Sequence, residues 1–225
     1  MAKIHAVLFD LDGTLSKTLT DLAVSVNHAL AAHGFPTHEV AAYRYFVGNG
    51  ATIMIRRALP EDARDDATVA KLRDTFMAHY SVHSQDTTGP YDGVTELVAA
   101  LRAKGYRTAV VTNKPDSAAQ DIVASMFPGL FDVVIGQREG VPIKPDPAMP
   151  RLAMAALGVT PDECLFLGDS NVDIATGAGC GAYPVGVLWG FRDREELLQA
   201  GAKDLIAKPD ELWAVLARLD GEAAQ

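Results

Sequence analysis

Two hydrophobic rhythms alternate along this chain. Ala6-Val7-Leu8-Phe9 is a continuous apolar run, long enough for a buried strand and too short for a buried helix. Between residues 16 and 84 no strand pattern occurs, and apolar positions such as Leu22, Val26 and Leu30 recur at helical spacing. The pattern predicts a first helix from a Thr20-Asp21 cap to Gly34, a second helical stretch over 38–46, a third over 51–59 and a fourth over 62–82. Gly48-Asn49-Gly50 interrupts this series, and Pro60 stops the third helix.

From Pro90 onward helices and strands take turns. Helices are predicted over 93–104, 115–126 (with Pro115 as a first-turn residue), 147–157 and 173–178, and strands over 108–111, 132–135, 165–167 and 182–187. Segments 193–200, 204–207 and 209–219 close the chain, and the tail 220–225 is expected to fray. This alternation predicts an α/β fold, a parallel sheet covered by helices on both faces. The all-helical block is inserted after the first strand. The expected division is a core of residues 1–15 and 85–225 and a helical cap of residues 16–84. Sites in open parallel sheets lie beyond the carboxyl ends of the strands, so an insertion there would act as a lid. The alternative is a separate domain that merely interrupts the core.

Composition narrows the partners. The chain has 225 residues, 48% hydrophobic and 22% charged, which suits one large globular domain or one domain with an insert. Its formal net charge is −9 and no Lys/Arg run occurs, which argues against nucleic acid and anionic membranes. Phosphate can still be bound if a metal and local donors overcome that field. The start, Met1-Ala2-Lys3-Ile4-His5, lacks a signal-peptide core, and no apolar run approaches membrane-span length. With only Cys164 and Cys180 and no C-x-x-C, these features favour free thiols in a reducing cytoplasm. Cys164 reads as core packing, and the six histidines (5, 28, 33, 38, 79, 83) show no ligand spacing. A monomer and a homodimer are both compatible with the chain.

The candidate chemistry sits at strand ends. Asp10 and Asp12 follow the first strand and, two residues apart, can point into one volume. Gly13 permits the turn behind them. Two close carboxylates repel and ask for a cation or a shared proton, and Mg²⁺ is the expected cation. The plain alternative is a solvated Asp-Gly turn. Thr112 and Asn113 follow the second strand, Lys144 the third, and Asp169, Ser170 and Asp173 the fourth. Each alone is weak evidence, but all four groups fall at the same sheet edge.

In these motifs the chain resembles the haloacid dehalogenase superfamily, in its phosphatase branch. Asp10-Leu11-Asp12-Gly13-Thr14, Thr112-Asn113-Lys114, Lys144-Pro145-Asp146 and Gly168-Asp169-Ser170-Asn171-Val172-Asp173 carry the resemblance. Phe46-Val47-Gly48-Asn49-Gly50-Ala51 and Val111-Thr112-Asn113-Lys114-Pro115 are similar to the phosphoglycolate phosphatase group. The resemblance implies a Rossmann-like core, Mg²⁺, and hydrolysis of a small phosphorylated metabolite, 2-phosphoglycolate first. It implies that Asp10 is the nucleophile, Asp12 the general acid and base, and Lys144 a charge partner. Thr112 and Asn113 would bind the phosphoryl oxygens, and Asp10, Asp169 and the Asp12 backbone carbonyl would hold the metal. Asp173, with Ser170, would stand behind Lys144 or a metal-bound water. Ser16-Lys17-Thr18 departs from the family, and Lys17 is expected to face solvent. Gly48-Asn49-Gly50 either presents backbone N–H groups from the lid to a carboxylate or is a plain break, and Trp189-Gly190-Phe191-Arg192, which could line the entrance, is expected to pack. Pyrophosphatase and sugar-phosphate phosphatase or mutase activities remain open on the same frame. Outside enzymes, the chain could be a phosphoacceptor signalling domain.

Overall fold

The computed structural model describes residues 3–221, so the predicted fraying of 222–225 and the sequence start at Met1-Ala2 lie outside the described residues. Six parallel strands form one sheet: β1 (Ala6–Phe9), β2 (Arg107–Pro115), β3 (Val133–Gln137), β4 (Cys164–Gly168), β5 (Tyr183–Val187) and β6 (Asp204–Ile206). Their order is β3-β2-β1-β4-β5-β6. β1 therefore lies in the middle, fully buried, which is why it reads as an unbroken apolar run. Its side chains alternate between two cores. Val7 and Phe9 join one cluster, and Ala6 and Leu8 join the other on the opposite face. Segment 204–207, unassigned from the sequence, is the edge strand β6.

The helices follow in chain order: α1 (Leu19–Ala32), α2 (Tyr43–Phe46), α3 (Gly50–Ala58), α4 (Asp66–His83), α5 (Val94–Ala103), α6 (Asp116–Met126), α7 (Ala148–Leu157), α8 (Asn171–Cys180), α9 (Arg194–Gln199) and α10 (Leu212–Leu219). The first four lie between β1 and β2 and own a separate core, including Leu22, Val26, Tyr43, Ile55, Leu72 and Phe76. α5, α6 and α10 contribute to one face of the sheet, α7 and α8 to the other. No helix among the described residues is long and apolar enough to cross a membrane. Cys164 is buried at the start of β4, as its apolar context predicted.

Several boundaries differ from expectation for local reasons. Pro115 ends β2 and stands before α6, so it is not a first-turn residue. The 38–46 stretch is a 3-10 turn followed by the single helical turn α2. Asp65 caps α4 by accepting from the Thr68 N–H, so this helix starts later than residue 62. The largest departure is Asp21. The N-cap of α1 is Thr18, and Asp21 lies buried inside the helix. Its carboxylate accepts from the backbone N–H and hydroxyl of both Thr87 and Thr88, at 2.6–3.1 Å. A side chain read as a helix cap thus ties the outgoing segment of the insert to the returning one.

Those bonds hold the Asp21 carboxyl below the usual range, against the opposing effect of burial. A lowered carboxyl contributes stability that is complete above its unfolded value of about 3.9 and is lost as pH falls through the folded one. Asp21→Ala should destabilise the protein by about 1–3 kcal/mol, from the lost charged hydrogen bonds to Thr87 and Thr88. Thermal unfolding at neutral pH checks this, and the deficit should shrink on acidification.

Candidate active site

β1 delivers Asp10 to the carboxyl edge of the sheet, and the Asp10 N–H still bonds to Leu167 O at 2.9 Å. Gly13 then turns the chain at φ +90°. A Cβ here would lie 2.4 Å from Asp169 Oδ2, so only glycine lets this turn close over the end of β4. Thr14 Oγ1 donates to Asp169 Oδ1 at 3.1 Å. Ser170 caps α8 in a reciprocal box with Asp173, whose Oδ2 accepts from the Ser170 N–H and hydroxyl at 3.1 and 2.6 Å. The cap thereby turns Asp173 back toward the sheet edge. Ligand oxygens of Asp10, Asp169 and Asp173, all buried, lie within 4.8 Å of one another.

Lys144 is 1% exposed and lies among them, with Nζ 2.8 Å from Asp10 Oδ1 and 2.6 Å from Asp173 Oδ1. Asp173 stands behind Lys144, as expected, but it also belongs to the acidic cluster. Burial pulls the Lys144 ammonium down, yet Asp10 and Asp173 outweigh it and hold its proton more tightly than usual. Two acids share that one ammonium. Burial first, then the Asp173 charge, pushes the Asp10 carboxyl up to about 7 despite Lys144. Burial, Asp173 and Asp10 likewise raise Asp169.

The Asp12 side chain is not in the acidic cluster. It pairs instead with Lys114, whose Nζ lies 2.9 and 3.2 Å from its two oxygens. Lys114 Nζ also donates to the Tyr80 hydroxyl at 2.7 Å. Burial opposes the Lys114 charge, but Asp12 and Tyr80 reverse the balance and raise its pKa. Neither Lys114 nor Tyr80 was expected from sequence as a site residue. Lys114 left one signal, a charged residue inside a run that continues as buried strand. Tyr80 left none, because it reads as one more apolar position of α4.

The predicted phosphate-binding pair divides. Thr112 Oγ1 accepts from the Lys114 N–H at 3.3 Å. Among the described residues no acceptor takes its own proton, so that donor is available at the sheet edge. Asn113 does something else. Its side-chain amide donates to Gly48 O and Lys144 O at 2.9 and 3.0 Å and accepts from the Lys144 N–H at 2.8 Å. Both amide protons are committed, so the side chain orders the Lys144 segment and anchors the insert rather than binding a phosphoryl group. Asn49 faces Arg57 at 2.9 Å and does not line the chamber, whereas Gly48 and Gly50 do. Lys17 pairs with exposed Asp92 on the surface, as expected.

Segment 189–192 packs, and it also reaches into the site. The Phe191 ring lies in the core of the insert while its N–H donates to Asp169 Oδ2 at 2.7 Å. Arg44 donates to Gly190 O and Phe191 O, and Arg192 donates to Arg44 O and Val47 O, so each side grips the other's backbone. Between insert and sheet edge is a chamber of about 40 Å³. Asp10, Asp12, Thr112 and Lys114 line it from below, and Leu22, Met54, Phe76 and Tyr80 from above.

Buried carboxylates gathered with ammonium groups at the carboxyl edge of a parallel sheet define a hydrolytic site for an anionic substrate. The haloacid dehalogenase-like hydrolase family model matches residues 4–181, and the chain belongs to that family. It is a phosphatase, 38% identical to a phosphoglycolate phosphatase of Cereibacter sphaeroides over 95% of this chain and 98% of that one. An N-acetylmuramic acid 6-phosphate phosphatase of Pseudomonas aeruginosa is 34% identical, over 96% of each chain. A solved structure from Lactobacillus delbrueckii subsp. bulgaricus superposes with a TM-score of 0.91 at 32% identity, covering 96% of this chain and 99% of that one. CbbY from Rhodobacter sphaeroides, in complex with phosphate, gives 0.74 at 25% identity, over 93% and 96%.

Gly190 is packed so tightly that a Cβ would lie 2.2 Å from Asp169 Cβ and 2.5 Å from Gly13 O. Gly190→Ala should displace Asp169 and lower phosphatase kcat at least ~10-fold, since misplaced catalytic groups lose that much or more. Steady-state kinetics beside a melting curve will separate this from unfolding.

Proposed function

We propose that the protein is a Mg²⁺-dependent phosphomonoester hydrolase that works through an aspartyl-phosphate on Asp10, with 2-phosphoglycolate as its substrate. One observation carries the reading: Asp10 faces the chamber while Lys144 and two further acids crowd its other side. Asp10 Oδ attacks phosphorus, the bond to the leaving oxygen breaks, and Asp12 gives that oxygen a proton. Asp12 then takes a proton from water, which attacks the phosphoryl group and frees Asp10. Thr112 donates to a phosphoryl oxygen.

The donor set fits the metal. Hard carboxylate oxygens suit Mg²⁺, and with Asp10, Asp169 and Asp173 ionised against Lys144 the cluster retains two negative charges. Asp10 and Asp169 would hold the ion, with Asp173 beside them and the Asp12 carbonyl added by family resemblance. When bound, Mg²⁺ supplies the positive charge that lets a carboxylate approach a phosphate dianion.

The helical insert, residues 16–84, is the lid. Relatives named phosphoglycolate phosphatase, 38% identical over 95% of this chain, support phosphoglycolate over sugar phosphates. A phosphoacceptor signalling domain has no use for a helical cap above its aspartate.

A panel of 2-phosphoglycolate, pyrophosphate and sugar phosphates with Mg²⁺ tests the reading. The first should turn over fastest, and Asp10→Asn should abolish both turnover and acid-stable phosphoryl labelling. Release of phosphate from none of these esters would sink the proposal. Metal binding has its own signature. The raised Asp10 carboxyl binds its proton more tightly in the folded state, so metal-free stability falls as pH rises from about 4 toward 7. Mg²⁺ relieves the ionised cluster, so it should raise Tm more at pH 8 than at pH 5.5.

A further inference from the structure

Beyond the carboxylates, the chamber lining holds one ammonium, Lys114, and two hydroxyls, Thr112 on the sheet side and Tyr80 on the insert side, among the described residues. Lys114, from β2, is the sole ammonium lining it among the described residues. Tyr80, from α4, is the sole polar side chain the insert contributes to that lining. Their contact, 2.7 Å, spans the boundary between core and insert. Lys114 can only donate, so Tyr80 Oη accepts and its own hydrogen is not used in that bond. Among the described residues no acceptor takes that hydrogen. The remaining insert wall, from Leu22 to Phe76, offers apolar groups and backbone.

We propose that Lys114 and Tyr80 form the receptor for a second acidic group on the substrate, a carboxylate one or two carbons from the phosphate ester. The assignment rests on the phosphatase reading above and names the residues that select its substrate class. Two of the three ammonium protons now serve the two oxygens of a single carboxylate, Asp12. A substrate carboxylate takes one of them, together with the free Tyr80 proton. One Asp12 oxygen is then left without its partner and faces the leaving oxygen. A substrate lacking the carboxylate leaves Asp12 gripped by both bonds and the Tyr80 hydroxyl facing apolar surface. The same two residues therefore bind the acid and free one Asp12 oxygen to take a proton from the attacking water.

Tyr80→Phe removes only the hydroxyl and keeps the ring, which stacks on Phe76 at 5.2 Å. The experiment compares kcat/KM for 2-phosphoglycolate and ethyl phosphate, which share a two-carbon chain and differ in the carboxylate. The wild-type protein should prefer the acid by ~100-fold or more, as sites built around buried polar groups do. Tyr80→Phe should lower the rate on 2-phosphoglycolate roughly 10-fold and change that on ethyl phosphate less than about 2-fold. Lys114→Met should bring the two substrates to within about 5-fold of each other even where both slow, because the charge that reads the carboxylate is gone. An equal loss on both substrates, an unchanged preference in the variants, or a wild-type protein indifferent to the carboxylate overturns the assignment. If the wild-type protein hydrolyses neither ester, it is the phosphatase reading with these substrates that fails.

Discussion

The structure depends on an imbalance of buried charge. Four carboxylates at the edge of the sheet face two ammonium groups, Lys114 paired with Asp12 and Lys144 divided between Asp10 and Asp173. An unpaired buried charge is costly, and removing one partner of a buried pair costs more than the pair contributes. Asp10, Asp12, Lys114 and Lys144 come from loops and strand ends far apart in sequence, so only a correct sheet register lets the charges meet. The surplus of acid over base leaves a negative balance that only a cation or a bound proton can offset.

The insert is joined to this charge cluster by more than a covering surface. Segment 189–192 places a phenylalanine ring in the insert's own core and gives the same residue's N–H to Asp169. Asn113 bonds the insert through Gly48 O and the Lys144 segment through the same amide. Lys114 reaches Tyr80. Both acidic strand ends are thus linked to the insert, Asp12 through Lys114 to Tyr80 and Asp169 through the Phe191 backbone to Arg44. Packing of the helices and geometry of the carboxylates are consequently one problem.

Much of this was legible from sequence, for physical reasons. The central strand is apolar on both faces, and the turn behind it demands glycine, so Asp10 and Asp12 could be placed at once. The helical rhythm of the insert and the Asp169–Asp173 spacing were equally readable. Other features were hidden because they depend on contacts between distant segments. Asp21 has the composition of a helix cap and becomes a tether only because Thr87 and Thr88 return beside it. Asn113 looks like a phosphate donor until both its amide protons meet carbonyls from two other segments. Tyr80 carries no local mark at all. β6 escaped assignment because an edge strand of three residues leaves too short a pattern.

The base of the insert is narrow. Ser16 and Pro90 are bridge partners, the Lys17 N–H bonds to Gly89 O, and the Tyr91 N–H bonds to Leu15 O. The two crossing points therefore sit side by side, and from the sheet the 73 residues between them look like one large closed loop. Any turning of the upper half against the lower must therefore pivot on this doorway, and the bonds from Asn113, Lys114, Arg44 and Arg192 that span the gap are the ones it would have to break.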